Sequence, residues 1–229
     1  MHKTVSVAPM MDCTDKHDRY FLRLISKNVK LYTEMIVANA IIRGDRDFLL
    51  KFNSLEKPLA LQIGGSNPKE LAEATKIAES YGYDEINLNL GCPSKKVQKN
   101  KFGACLMKEP NLVGECVSAM KKASNLPVTI KTRIGYDNHE DYEYLKKFLT
   151  IIKNAGAENF IIHARRAILN KTPKQNLTIP PLNYNFVYNI KKDFPKDIVI
   201  LNGGIDSIDK IQAHLKKVDG VMIGRAAYH

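Results

Sequence analysis

The sequence predicts an α/β protein of the (β/α)8 TIM-barrel class. Eight short runs rich in Val, Ile and Leu recur along its 229 residues, as strands covered on both faces do. Segments of helical periodicity lie between them, which is the alternation of a barrel. The rival doubly wound sheet usually has fewer strands and a glycine-rich first turn, and residues 6–14 hold no GxGxxG.

The first three strands are VSVA (5–8), LYTEM (31–35) and LALQI (59–63). PKELAEATKIAESYG then opens on Pro68 and closes on Gly82, as a helix with proline in its first turn and glycine past its end does. Within it Leu71, Ala74, Ile77 and Ala78 share one face. The fourth strand, EINLNL (85–90), runs into Gly91, Cys92 and Pro93. A thiol is left where strand becomes loop, so Cys92 is either a reagent or a small apolar residue at a corner. EPNLVGECVSAMKKASN is the next helix and VTIKTR (128–133) the fifth strand. HEDYEYLKKFLTIIKNAG is a helix that stops at Gly156. NFIIHA (159–164) and IVILNG (198–203) follow as strands, then IDSIDKIQAHLK as a helix capped by Asp206 or Ser207. GVMIGR (220–225) is the eighth strand. The sequence ends at His229, so the eighth helix is expected to be missing and apolar barrel wall to be exposed. Residues 1–229 read as one barrel domain truncated at its C-terminus.

Composition narrows the classes. Hydrophobic residues make up 44%, which excludes a disordered chain. No run of about 18 apolar residues suits a membrane span, and MHKTVSVAPMMDC lacks the apolar core of a signal peptide, so a cytoplasmic location is expected. Cys13, Cys92, Cys105 and Cys116 show no CxxC spacing. Free thiols and no metal site are expected. A net charge of +11 suits a polyanionic partner such as nucleic acid. Only 8 of the 35 basic residues are arginine, so a lysine-rich solvated surface is the alternative.

Barrel sites lie at the C-terminal ends of the strands. That rim collects Pro9, Met10 and Met11, then Glu34 and Met35, Gln62, Asn89 and Cys92, Lys131 and Arg133. Further round come His163 with Arg165 and Arg166, Asn202 with Gly203 and Gly204, and Gly224 with Arg225. The glycine turns after the last two strands suit an anion approached by backbone N–H groups, with Arg225 adding a charge-assisted grip. A lysine within a core strand, Lys131, needs an anion or ligand as partner unless it snorkels outward.

VAPMMDCTD, LALQIGG, INLNLGCPSKKVQKNKFGACLM, VTIKTRIG, HARRA, NGGI and IGRAAYH together resemble the tRNA-dihydrouridine synthase family. HARRAILNKTPKQNLTIPPLNYNFVY resembles its A-type bacterial branch. The resemblance covers essentially the whole chain and implies an FMN-binding catalytic barrel, followed by a C-terminal helical domain that this sequence does not contain. It implies NADPH-driven reduction of the C5–C6 bond of D-loop uridines at positions 20 and 20a. Hydride would pass from reduced FMN to C6 and a proton from Cys92 to C5. FMN would meet the backbone of Pro9, Met10 and Met11, together with Gln62, Lys131, His163, Asn202, Gly203, Gly204, Gly224 and Arg225. The tRNA would meet Asn89, Arg133, Arg165, Arg166, Lys174 and Asn176, with the target base flipped into the barrel mouth. A monomer is expected. The alternatives are an FMN barrel acting on a small pyrimidine and an inactive RNA-binding remnant.

Overall fold

The alternation of apolar runs and helical segments closes into a parallel barrel in the computed structural model, which describes residues 3–228. Its strands are β1 (Thr4–Val7), β2 (Leu31–Tyr32), β3 (Ile36–Val37), β4 (Leu59–Gly64), β5 (Glu85–Leu90), β6 (Val128–Arg133), β7 (Asn159–His163), β8 (Ile198–Asn202) and β9 (Gly220–Ile223). They run in the order β1-β9-β8-β7-β6-β5-β4-β2. A parallel bridge between Ser6 and Lys30 joins the two ends of that order. There the Val7 N–H donates to the Lys30 carbonyl and the Lys30 N–H to the Val5 carbonyl, each at 3.0 Å.

The expected strand LYTEM differs from the prediction. It is split into β2 and β3, which pair with the two ends of β4. Between them the Thr33 hydroxyl accepts the Gln62 N–H at 3.1 Å and donates to the Glu34 carbonyl at 2.8 Å. A side chain takes over a ladder bond there, and just beyond it the Glu34 carboxylate accepts the Asp12 N–H at 2.6 Å.

The helices are α1 (Lys16–Ile25), α2 (Ala38–Arg43), α3 (Arg46–Leu50), α4 (Pro68–Ser80), α5 (Lys95–Lys99), α6 (Pro110–Ala123), α7 (Tyr142–Asn154), α8 (Tyr184–Asp193) and α9 (Ile208–Leu215). The four expected ones, α4, α6, α7 and α9, are present with trimmed ends. Asn67 caps α4, Asp141 caps α7 and Ser207 caps α9, while Asp206 instead pairs with Lys210. Gly82 and Gly156, at φ +83° and +106°, end α4 and α7 as left-handed residues. Helix α1 escapes pattern reading because its periodicity is inverted. Arg19 and Arg23 face inward, where Arg19 pairs with Glu56 at 2.6 Å and Arg23 donates to the Glu56 carbonyl. Phe21, Leu24 and Ile25 face outward and stay exposed, as does Ile208 on α9.

Two apolar layers result from the period of two along the strands. Ile86, Leu88 and Leu90 of β5 and Val128 and Ile130 of β6 pack outward under the helices. Ala8, Tyr32, Ala60, Ile161, Ile200 and Met222 form a smaller inner core. The alternate positions of β5 and β6, Glu85, Asn87, Asn89, Thr129, Lys131 and Arg133, are polar and supply the barrel interior beneath the site.

Candidate active site

A cavity of about 340 Å³ opens at the C-terminal mouth between β1, β6, β7, β8 and β9. Register creates it. Arg133 stands beside His163 and His163 beside Asn202, so three strand ends present polar side chains in one row. Lys131, one pleat deeper, donates to Asn202 Oδ1 at 3.0 Å, and Asn202 Nδ2 donates to the Met222 carbonyl at 2.8 Å. Burial, with help from Arg133, pulls the Lys131 ammonium down to about 7. The same two causes, joined by Lys131, Arg165 and Arg225, hold His163 well below its ordinary value, so its ring is neutral at physiological pH. His163 Nδ1 is buried without a hydrogen-bond partner among the described residues.

The walls suit an anion. Arg165 and Arg225 also line the cavity, whose single acidic lining residue among the described residues, Asp206, is neutralised by Lys210. Gly203 and Gly204 turn at φ +112° and +68°. A Cβ on Gly204 would lie 2.6 Å from the tip of Leu182 and 2.8 Å from the Tyr184 hydroxyl, and with the positive φ this favours glycine at the turn. At Gly224 a Cβ would meet nothing within 4 Å, which leaves the backbone open to a ligand. Pro9 and Met10 form the facing wall. A group carrying both a phosphate and a ring edge able to hydrogen-bond matches these features.

Cys92 stands at the rim after β5, half-buried. Asn89 Oδ1 accepts the Gly91 and Cys92 N–H groups at 3.2 and 3.0 Å, which shapes the turn. The Cys92 carbonyl accepts the Ala104 N–H at 2.9 Å, so the GACLM segment backs the GCPS segment. Gly103, at φ +75°, makes that contact possible, since a Cβ there would lie 2.6 Å from the Cys92 carbonyl oxygen. Arg133 donates from Nε to the Gly91 carbonyl at 2.9 Å and from Nη1 to the Arg166 carbonyl at 3.1 Å. It thereby ties the thiol turn to the loop after β7.

Three residues expected to make contacts, Asn176, Gln62 and Asn89, are engaged inside the protein. Asn176 is fully buried, and its amide bonds to Ile168, Lys171 and Thr172 inside its own loop, so it braces the loop and does not face a nucleic acid. Gln62 lies within the barrel with its amide engaged by Asn87 and Asn89, behind the cavity wall. Asn89, buried and committed to Gln62 and the Cys92 turn, is a positioning group. The Met11 side chain is exposed, and the contact expected of this residue is through its backbone. Arg166 pairs with Glu140 at 3.3 Å beside the site, and Lys174 is exposed on the loop. Pattern reading missed Leu182 and Tyr184. The Tyr184 hydroxyl donates to the Gly203 carbonyl at 2.9 Å, and the only sequence hint of this was the aromatic spacing of NYNFVY.

The comparisons with known proteins bear on this geometry. The dihydrouridine synthase family model matches residues 6–229. The chain belongs to the dihydrouridine synthase family. It is 57% identical over 225 residues to a tRNA-dihydrouridine(20/20a) synthase of Synechocystis, covering 98% of this chain and 67% of that one. It is 54% identical over 229 residues to the enzyme of the same name from Shewanella oneidensis, covering 100% and 68%. A 2-naphthoyl-CoA reductase structure superposes with a TM-score of 0.68 at 12% identity, over 96% of this chain and 47% of that one, which shows the barrel fold alone. Among the described residues no helix is long and apolar enough to cross a membrane, and no cluster of His, Cys, Asp and Glu could hold a metal ion.

Proposed function

We propose that this family member is the FMN-binding barrel of a cytoplasmic, monomeric tRNA-dihydrouridine synthase that uses NADPH and acts on the uridines 20 and 20a for which its relatives are named. The observation that carries the reading is a cavity lined by Lys131, His163 and three arginines, one of which, Arg133, is hydrogen-bonded to the Gly91 carbonyl in the Cys92 turn. The unpartnered His163 Nδ1 and the open backbone at Gly224 fit FMN in that cavity. When bound, FMN supplies the hydride that adds to C6 of the uracil.

The chain's own residues do the rest. The Gly203–Gly204 and Gly224–Arg225 turns hold the phosphate through backbone N–H groups and one guanidinium. Lys131, with its ammonium lowered to about 7, holds its proton more firmly against an anionic ring edge and stabilises it. The Asn202 carbonyl oxygen on its side chain keeps the lysine aimed. His163, neutral, offers Nδ1 to the same ligand. Cys92 protonates C5 from the opposite face, and Asn89 fixes its turn. Arg133 and Arg165 line the mouth for the flipped base, and Arg166 and Lys174 extend the charge along the loop for tRNA phosphates.

Cys92→Ala tests the reading. The purified variant is expected to stay yellow and to oxidise NADPH, yet to form no dihydrouridine in tRNA by mass spectrometry. Undiminished product would remove Cys92 from the mechanism.

A further inference from the structure

Beneath Cys92 a row of polar side chains crosses the barrel from rim to floor. Asn89 Oδ1 holds the Gly91 and Cys92 N–H groups. Asn89 Nδ2 donates to Gln62 Oε1 at 2.8 Å, and Gln62 Nε2 to Asn87 Oδ1 at 2.8 Å. Asn87 Nδ2 donates to Thr129 Oγ1 at 2.8 Å, and the Thr129 hydroxyl to Glu85 Oε1 at 2.6 Å. Tyr32 donates to the same carboxylate at 3.0 Å, and Lys30 pairs with its other oxygen. All four middle members are buried, so water does not compete along the row.

The two ends of this row are chemically one-way. Backbone N–H groups only donate, and the carboxylate paired with Lys30 only accepts. Between them each amide has one donor and one acceptor end. The acceptor demand at Cys92 sets Asn89, then Gln62, then Asn87, and finally requires an acceptor beyond Thr129. Glu85 supplies that acceptor. The polarity demanded from the top and from the bottom agrees at every link.

We infer that Glu85 is a positioning residue for Cys92: it fixes, through Thr129, Asn87, Gln62 and Asn89, the direction of the hydrogen-bond row that shapes the Cys92 turn. The inference rests on Cys92 as the proton donor for its functional meaning, but its structural content stands apart from that reading. In Glu85→Gln the amide is oriented by Lys30, which takes the oxygen. The nitrogen then donates to Thr129, whose hydroxyl proton loses its acceptor and regains one when Asn87 turns its Oδ1 towards it, and each link above reverses in step. Asn89 meets the Gly91 and Cys92 N–H groups with its own NH2, donor against donor. Adding Thr129→Val cuts the row, so the reversed polarity no longer reaches the turn.

The test is amide hydrogen exchange at Gly91 and Cys92 by NMR, with tRNA-driven reoxidation of the NADPH-reduced protein beside it. Glu85→Gln is expected to raise exchange at both amides about fivefold, the factor for one lost hydrogen bond of ordinary strength, with reference amides in α7 unchanged. It is expected to slow the tRNA step about tenfold and to leave the NADPH step alone. Glu85→Gln with Thr129→Val should return exchange towards wild type, a rescue that general destabilisation does not produce. In the wild type, coupling across the hydrogen bonds should run from Asn89 Nδ2 to the Gln62 side-chain carbonyl and from Gln62 Nε2 to that of Asn87. This measurement keeps the inference testable if Glu85→Gln fails to fold. Couplings in the opposite sense, or exchange that does not respond in a folded Glu85→Gln, overturn the row. A wild type that makes no dihydrouridine overturns the proposed function and leaves the exchange and coupling results standing.

Discussion

Lys131→Met should stabilise the ligand-free protein, and the gain should fade as pH rises. Burial and the neighbouring Arg133 lower the folded lysine from 10.5 to about 7. Below about pH 7 the group is charged in both the folded and the unfolded chain, and the folded state bears the full penalty. Between about 7 and 10.5 only the unfolded chain keeps the proton, so wild-type stability climbs with pH across that window. The gap from 10.5 to about 7 corresponds to at most about 5 kcal/mol. Relaxation and water penetration roughly halve it, to about 2.5 kcal/mol. Methionine also gives up the hydrogen bond to Asn202, which offsets about 1 kcal/mol. A net gain of about 1.5 kcal/mol is therefore expected at pH 6, gone by about pH 9. Urea unfolding of wild type and variant at the two pH values measures it. Equal or lower stability of Lys131→Met at pH 6 would refute the account of a lysine held in the barrel for a ligand. The same variant should bind FMN at least about tenfold more weakly, because the ligand loses its charged partner.

Other outcomes can be measured on the same protein. Gly204→Ala puts a side chain on a left-handed residue and crowds the tip of Leu182 at 2.6 Å, so it should cost roughly 1–2 kcal/mol in urea unfolding and weaken FMN binding; unaltered binding would remove the turn from the phosphate site. Asn176→Ala removes the bonds that hold residues 168–172 and should make the loop cleavable by trypsin at Lys171 and Lys174 while the barrel stays intact. Burial, with Glu115 adding to it, pushes the Cys116 thiol up to about 12, so iodoacetamide at pH 8 should leave it unmodified in the native state and label it only in urea. With a net charge of +11, tRNA affinity should fall steeply between about 50 and 200 mM salt.

The barrel and much of its rim were legible in the sequence. Apolar runs at regular intervals need cover on both faces, and that need leaves few folds. Pro68 and Gly82 punctuate α4 because one lacks an N–H and the other tolerates positive φ, which are local facts. The NGG and GR turns were readable for the same reason. Helix α1 was illegible because its buried face is held by Arg19 and Arg23, which, besides local carbonyls at Thr14 and Ser26, bond Glu56 and the Pro58 carbonyl more than thirty residues away in the chain. The split of LYTEM depends on one side chain, Thr33, taking over a ladder bond.

By itself the sequence determined the order of the strands and of α4, α6, α7 and α9, the polar and apolar alternation of EINLNL and VTIKTR, and the placing of Cys92 at a strand end. Those follow from periodicity and turn chemistry, which act over a few residues. Tertiary structure alone decided which polar groups face a ligand and which serve one another. Asn89, Gln62 and Asn176 looked like contacts in the sequence, yet register and loop packing consume their amides inside the protein. A hydrogen-bonding group has a fixed number of donors and acceptors, and only the folded neighbourhood shows how many are left to meet a substrate.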